Sequence, residues 1–347
     1  VTQLPYIQIL TPPNPKLRWE KIQMLNWGVD FESKNKILSG SIEYYLKKGI
    51  DLIGEAPLDP TVGFNVGGRT NFTGNNAALK GQGVDVQLNL LKQLNKITYS
   101  AYFLYSYNKD RITKYDYEYI PSSYFSQVAP PLPGHSRYGI YSLKWAGLNP
   151  QNGNPRILMN GAATEDYSTI LSGLKQNDIL YNGPALPVHF GSLRQNIQWR
   201  GFTIGFNISY KMGYYFRAPS ISYTALFENW QGHDDYRYRW QKAGDELHTN
   251  VPSLPEPGFS PVRDFVYTFS DALIAKGDHI RFQDINVGYD FSKERYRWLP
   301  FQKASIYGYI NNIGILWQAN NYGIDPDFVF MPYPPSRTYA IGLRVQL

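Results

Sequence analysis

The chain of 347 residues holds no cysteine, which excludes a disulfide framework and any thiolate zinc site. Charged residues are 18% and aromatics 16%, with 29 tyrosines, a mix poor in helix formers and rich in strand and interface residues. A net charge of +6 and a pI near 9.1 permit nucleic acid, acidic surfaces or anionic lipid as neighbours, but the cations are scattered along the sequence, which favours solvated loops.

No window of about 18 uninterrupted apolar residues exists, so no transmembrane helix is expected. A membrane protein without one must be a closed barrel, because only then are all backbone groups paired in lipid. No signal peptide is visible, and Val1 is not a natural start residue, so the chain reads as processed or partial.

In chain order, the proline-rich Val1–Lys16 is irregular, and a first strand is predicted over Leu17–Glu32, with Leu25, Trp27, Val29 and Phe31 alternating with Asn26, Gly28 and Asp30. After the turn SKNK, Ile37–Asp51 alternates again, Leu38, Gly40, Ile42, Tyr44 and Leu46 against Ser39, Ser41, Glu43 and Lys47. Leu52–Leu79 is rich in Gly, Asn and Pro and predicts a long loop. Lys80–Leu91 sets Val84, Val86 and Leu88 against Asp85, Gln87 and Asn89, and after the turn KQLN, Ile97–Asn108 follows the same rule. A very long loop is expected over Lys109–Leu186.

His189–Arg200 is the fifth predicted strand, its apolar face interrupted by Gln195. The sixth, Gly201–Phe216, has the clearest pattern: Phe202, Ile204, Phe206, Ile208, Tyr210, Met212 and Tyr214 on one face, Thr203, Gly205, Asn207, Ser209, Lys211 and Gly213 on the other. This run exceeds the usual soluble strand of about 5–6 residues and suits a tilted bilayer-crossing strand of roughly 9–11. Tyr214, Tyr215 and Phe216 at its end predict part of an aromatic girdle at the membrane interface. A second long loop, Arg217–Lys276, precedes strand His279–Phe291, where a phase change predicts a bulge near Gln283. Ala304–Trp317 is a strand of ambiguous face, Gln318–Pro335 a loop, and Arg337–Leu347 the ninth strand. Short and long connections alternate as far as the seventh strand and the last two are of medium length, a sorting that fits outer-membrane barrels with short periplasmic turns and long extracellular loops and not a soluble β-sandwich.

Several segments resemble one family. NPKLRWEK (Asn14–Lys21), NWGVDF (Asn26–Phe31), SGSIEYYLKK (Ser39–Lys48), KGQGVDVQL (Lys80–Leu88), FGSLRQNIQWRGFTIGFNISYKMG (Phe190–Gly213), WQKAGDELHTNVP (Trp240–Pro252), GDHIRFQDINVGYDF (Gly277–Phe291), YINNIGILW (Tyr309–Trp317), GIDPD (Gly323–Asp327) and YPPSRTYAIGL (Tyr333–Leu343) are similar, in order, to the C-terminal barrel half of SusC/RagA-type TonB-dependent transporters. The resemblance implies the C-terminal portion of a large, plugged, transmembrane antiparallel β-barrel of about 22 strands. It implies nutrient import, of a glycan or a peptide, across the outer membrane of a Bacteroidetes-type bacterium. The implied partners are a SusD-like surface lipoprotein as lid, the remaining N-terminal plug and barrel portion, the TonB complex acting through that portion, and outer-membrane lipid, with no nucleic acid. The plug is absent from this sequence, Leu347 stands where an aromatic is usual, and the 109–186 loop matches only loosely. A plugless porin or secretion-associated barrel is the next reading, and a soluble carbohydrate-binding β-sandwich a third.

Residues that could carry chemistry are few. His135, His189, His233, His248 and His279 are dispersed without metal-ligand spacing. Asp234 and Asp235 in GHDD, and Asp325 and Asp327 in DPD, offer oxygen ligands that suit calcium, but simple turn chemistry explains them better and no cofactor is expected. Asp245 and Glu246 are sequence neighbours rather than a glycosidase pair, no nucleophile elbow or phosphate loop occurs, and no enzymatic activity is expected. Trp230, Tyr236, Tyr238 and Trp240, with Arg237 and Arg239 between them, are candidates to stack on substrate or to dock a partner. Asp30, Glu43, Asp85, Asn89, Asn207, Lys211 and Arg344 are expected to face the lumen, toward plug, water or solute. Nine strands leave two open edges, and bacterial single-chain barrels have even strand numbers, so the edges are expected to pair with strands outside this sequence.

Overall fold

The computed structural model describes residues 13–57, 71–126, 128–329, 331 and 333–346. Nine strands form one antiparallel sheet in sequence order: β1 (Lys21–Glu32), β2 (Leu38–Pro57), β3 (Asn71–Leu94), β4 (Ile97–Tyr115), β5 (His189–Trp199), β6 (Phe202–Met212), β7 (His279–Ser292), β8 (Lys303–Gln318) and β9 (Thr338–Gln346). Each strand pairs with the next, so the short turns β1–β2, β3–β4, β5–β6 and β7–β8 share one end and the long connections share the other. Among the described residues β1 and β9 each have one neighbour, so the sheet has two open edges.

Register turns the two-residue alternation of single strands into continuous rows. Val29 lies opposite Ile42, Ile42 opposite Val86, and Val86 opposite Tyr105. Further round, Ile204 stands between Ile197 and Val287, and Phe202 between Trp199 and Tyr289. The other face carries the polar rows: Gly28–Glu43–Asp85–Ser106, and Tyr102–Arg194–Asn207–Asp284. The apolar face is uncovered, with Val29 at 65%, Leu343 at 67% and Ile341 at 89% exposure. Large apolar side chains left bare in this number mark a contact surface, and on a sheet of such long strands the medium is lipid. Gln195 does interrupt this face, but Tyr99 Oη donates to its Oε1 at 2.9 Å, so its carbonyl does not enter lipid unpaired.

The bulge is at Gln283: Asn207 faces Asp284 and Ile208 faces Phe282, leaving Gln283 unpaired with its Nε2 donating to Ser209 Oγ at 2.6 Å. The extra residue returns Phe282 and Ile280 to the face that holds Ile285 and Val287. Strand β8 resolves likewise, with Ile306 and Ile310 on the apolar face and Ser305, Tyr307, Tyr309 and Asn311 on the other. Its two inward tyrosines are what blurred the pattern.

Three expectations are corrected. Of the loop placed at 52–79, the described residues are strand: β2 and β3 remain paired to Pro57 and Asn71, across register shifts beside Asp51, whose φ of 56° breaks the phase. The core of that loop, 58–70, lies outside the described residues, as does Leu347. Strand β4 runs to Tyr115, so the next connection begins at Asp116 rather than Lys109. Tyr214, Tyr215 and Phe216 are no girdle. Gly213, at φ 79°, turns the chain out of the sheet with its N–H on Asp278 Oδ1 at 2.7 Å. Tyr215–Arg217 then pairs with Ile274–Lys276, and Tyr214 and Phe216 are buried.

The 116–188 and 213–278 connections fold together into a cap. Helix α1 (Tyr167–Gly173), two small sheets and Tyr124, Phe125, Tyr141, Leu143 and Ile157 share one apolar core with Val266 of helix α3 (Pro261–Thr268). A second core gathers Ile221, Tyr223, Val251, Tyr267 and Leu273 around helix α2 (Tyr223–Asn229).

Candidate functional site

Four polar anchors hold the cap. Arg217 donates from Nη1 to Thr268 O at 2.9 Å and from Nη2 to Tyr141 O at 2.6 Å, with its guanidinium 4.7 Å from the Phe269 ring centre; burial lowers its pKa to about 10. Arg263, 2% exposed, donates from Nε to Asn154 Oδ1 at 2.8 Å and from Nη2 to Ser253 O at 2.7 Å, tying one connection to the other. Asp264 accepts from Thr224 N at 2.6 Å and Ser222 Oγ at 3.0 Å at the start of α2. Asp235 accepts from Ile221 N at 3.2 Å and lies 2.6 Å from His233 Nδ1. Where the connections meet, a cleft of about 800 Å³ is lined by Asn154, Tyr167, Arg239, Trp240 and Arg263.

The predicted aromatic quartet is divided by this fold. Trp230 caps α2 in the left-handed conformation and is 92% exposed. Tyr238 is exposed, with Arg237 stacked 4.8 Å from its centre. Tyr236 is half-buried between Arg239 and Tyr223. Trp240 is buried, its ring filling the space beside Gly153, where an added Cβ would come within 2.4 Å. The four therefore make no single stacking surface: two are exposed and two are packing.

Asp245 and Glu246 close their own loop. Asp245 Oδ2 accepts from the N–H groups of Gln241 at 2.9 Å and Lys242 at 3.1 Å, which lower its pKa. Glu246, whose pKa is lowered by its own N–H and then by Trp240, accepts from Trp240 Nε1 at 3.1 Å and Gly244 N at 2.8 Å. Their acceptors point to backbone and indole, not to a common substrate position.

The DPD segment docks on the wall. Lys211 Nζ reaches Asp327 Oδ1 at 2.7 Å, Arg281 Nε and His279 Nε2 each lie 3.3 Å from Asp327 Oδ2, and Arg281 also pairs with Asp325. Burial alone would raise the Asp327 carboxyl; the close approach of His279 and the hydrogen bond and charge of Lys211 outweigh it and hold it well below the usual range. Lys211, expected to face plug or solute, thus holds a loop of its own chain. Asp234 pairs with Arg237. Among the described residues no group of three or more His, Asp or Glu side chains converges as metal ligands.

The other lumen candidates stay on the polar face. Glu43 accepts from Asn26 Nδ2 at 3.1 Å and Asp85 from Ser106 Oγ at 2.6 Å; Asp30 lies opposite Ser41, Asn89 opposite Tyr102, and Arg344 opposite Ser305. Asn207 lies opposite Arg194, its Oδ1 buried without a partner. Arg217, Arg263 and Asp264 were not singled out from sequence. Their partners lie 10 to 109 residues away, and no local motif announces them.

No protein-family model matches the chain. It is 24% identical over 363 residues to the TonB-dependent receptor SusC of Bacteroides thetaiotaomicron, covering 96% of this chain and 32% of that protein. It is 21% identical over 388 residues to the TonB-dependent receptor P39 of Formosa agariphila, covering 96% of this chain and 36% of the relative. Among solved structures, a chain of the RagAB peptide transporter superposes with a TM-score of 0.72 at 19% identity, over 97% of this chain and 36% of its own length. The chain thus spans about a third of the length of the relatives it matches, and the resemblance seen in its motifs to SusC/RagA-type transporters is borne out, as is the β-barrel fold class.

Proposed function

We propose that this chain, a relative of the SusC-type TonB-dependent receptors, is the C-terminal part of the barrel of an outer-membrane nutrient transporter. The observation that carries this reading is the separation of faces through nine strands, bare apolar rows outside and hydrogen-bonded polar rows inside, with every long connection at one end. The wall crosses the outer membrane nine times, and β1 and β9 pair with strands of the remaining portion, which brings the plug and the link to TonB. The cap faces outward. Its exposed Trp230 and Tyr238 meet a SusD-like lipoprotein, and its cleft meets the cargo. We assign the chain no catalytic step and no cofactor.

Peptide is the cargo favoured over glycan. The cleft offers the Asn154 amide N–H groups and the Arg239 guanidinium, which suit backbone carbonyls and carboxylates. The test is growth of the source bacterium, with and without the gene, on oligopeptides or oligosaccharides as the limiting nutrient, with the complex pulled down from solubilised outer membrane. Loss of growth on peptides and recovery of a surface lipoprotein are expected. Uptake that persists after collapse of the inner-membrane proton gradient would point instead to a passive pore.

A further inference from the structure

The cations that look scattered in the sequence converge in the sheet. Lys48 lies opposite Gln23 on one side and Lys80 on the other, and Lys80 lies opposite Arg111. One register step away Lys109 lies opposite Gln82. All four cations are exposed, on strands about 5 Å apart. They share a face with Leu46, Val84 and Tyr107, because each is an even number of residues along its own strand and the pairing there is regular. This is the apolar outer face, so the cations point toward the membrane and not into the lumen.

Their height is specific. Toward the long-connection end the outer face passes from aliphatic rows to an aromatic row, where Trp27 stacks on Tyr44 at 5.8 Å and Tyr107 lies beside His189, and then to the cations. Lys48 is four residues beyond Tyr44, about 13 Å along the strand and roughly 10 Å along the membrane normal at the usual tilt. That is the headgroup layer, where aromatic girdles give way to phosphate.

Like charges directly opposite on neighbouring strands destabilise a sheet, and none of the four forms an ion pair among the described residues. The nearby carboxylates are engaged: Asp51 with Arg18 and Lys21, and Asp110, on the opposite face, with Ser136 Oγ and Arg137 N at 2.6 Å each. Between the side chains runs a cleft of about 680 Å³ in which Leu25 and Leu46 sit below Lys48, Lys80, Lys109 and Arg111. Apolar below and cationic above, it complements a lipid whose headgroup carries phosphate. We propose that Lys48, Lys80 and Arg111, with Lys109 beside them, form a site on the outer wall for the phosphate of a phosphorylated membrane lipid. The proposal rests on the outer-membrane reading above, since only there does this face meet lipid.

The test uses the whole transporter, purified from outer membranes and placed in nanodiscs. The probes are lipid A with its phosphates, the same lipid after phosphatase treatment, and inorganic phosphate as competitor. Heat-modifiable migration of the unaltered protein checks the barrel reading separately; a protein without it sinks that reading and leaves no wall to test. For an assembled barrel, phosphorylated lipid is expected to be retained over the dephosphorylated form. K48Q/K80Q/R111Q is expected to lose that preference about a hundredfold, at about fivefold per charge, while keeping heat-modifiable migration. Should the triple variant fail to assemble, K80Q is expected to lose about fivefold and K80R nothing. Equal retention of the two lipids by the unaltered protein, an unchanged preference in K48Q/K80Q/R111Q or K80Q, or displacement of the lipid by millimolar inorganic phosphate would overturn the proposal.

Discussion

The wall and the cap solve the same problem, satisfying buried backbone groups, by opposite means. In the wall each strand is held by its neighbours' ladder, and the side chains are free to sort by face. In the cap the strands are short, and charged side chains complete the backbone: Arg217 caps two carbonyls, and Asp264 receives an N–H and a hydroxyl. The large apolar side chains divide the same way. The cap buries a core of them, Tyr141, Leu143 and Ile157 at 2% exposure or less, whereas in the wall Ile341 and Leu343 are bare. The cap builds its own core, while the wall takes its apolar medium from outside. Changes in the wall should therefore be judged by lipid, and changes in the cap by long-range hydrogen bonds.

The largest expected effect separates the two faces of one strand. Ile208, mid-strand on the outer face beside Leu193 and Phe282, is expected to lose about 2–4 kcal/mol as Ile208→Arg. Its neighbour Asn207, on the polar face, is expected to tolerate Asn207→Arg at under about 1 kcal/mol, because the Asp284 carboxylate on one side offsets the like charge of Arg194 on the other. Folding of the whole transporter into bilayers, followed by heat-modifiable migration against urea, measures both. Equal tolerance would mean that the outer face does not meet lipid.

The next effect is confined to the cap. Arg263→Gln removes the link from α3 to Asn154 and Ser253 and leaves buried acceptors unpaired, at a cost of about 1–3 kcal/mol. Limited proteolysis is expected to cut within 149–158 and 250–260 in the variant, with heat-modifiable migration of the wall unchanged. Loss of both together would show that cap and wall fold as one unit.

The third joins the regions. Asp327→Asn keeps the shape of the latch but removes the charge facing Lys211, His279 and Arg281, and is expected to loosen the 319–337 connection by about 1–2 kcal/mol. The carboxyl is depressed in the folded state, so its stabilisation is present above the unfolded value of about 4 and is lost only as pH falls well below it. Protection of this segment from hydrogen exchange, taken relative to the intrinsic rate at each pH, should be flat from pH 7 to 5 in the unaltered protein and low throughout in the variant. Loosening of the unaltered segment between pH 7 and 5 would show that the Asp327 carboxylate does not hold the latch.

The same contrast explains what could be read from the sequence. The alternation of Phe202–Met212 was legible because period two is a local property and both faces of the strand have a solvent of their own, but its end was not, since the same period runs on to Phe216 after Gly213 has turned the chain away. Gln283 was legible because a bulge announces itself as a phase error. The extension of β2 and β3 past Asp51 was not, since a left-handed residue and glycines erase the alternation while pairing continues. The cap was least legible. Arg263 acquires meaning only when Asn154, 109 residues earlier, arrives beside it, and Asp327 only when Lys211 does, 116 residues away. The cationic row shows the same limit within the wall: Lys48, Lys80 and Arg111 are adjacent only through register.

The smallest effect on stability tests what the cap is for. Trp230 and Tyr238 touch solvent and hold nothing together, so Trp230→Ala with Tyr238→Ala is expected to change stability by less than about 0.5 kcal/mol. Trp240 must be kept out of this variant, because its ring fills the space beside Gly153 and its indole N–H holds Glu246; removing it would open the cap and confound the result. If the exposed pair docks the lipoprotein, aromatic anchors at the centre of the contact cost 2 kcal/mol or more, so the complex is expected to weaken by roughly thirtyfold or more. Dissociation of the solubilised complex, followed by native mass spectrometry over a dilution series, reads that ratio directly. Unchanged dissociation beside unchanged proteolysis would make the two rings bare loop surface and move the docking site elsewhere on the cap.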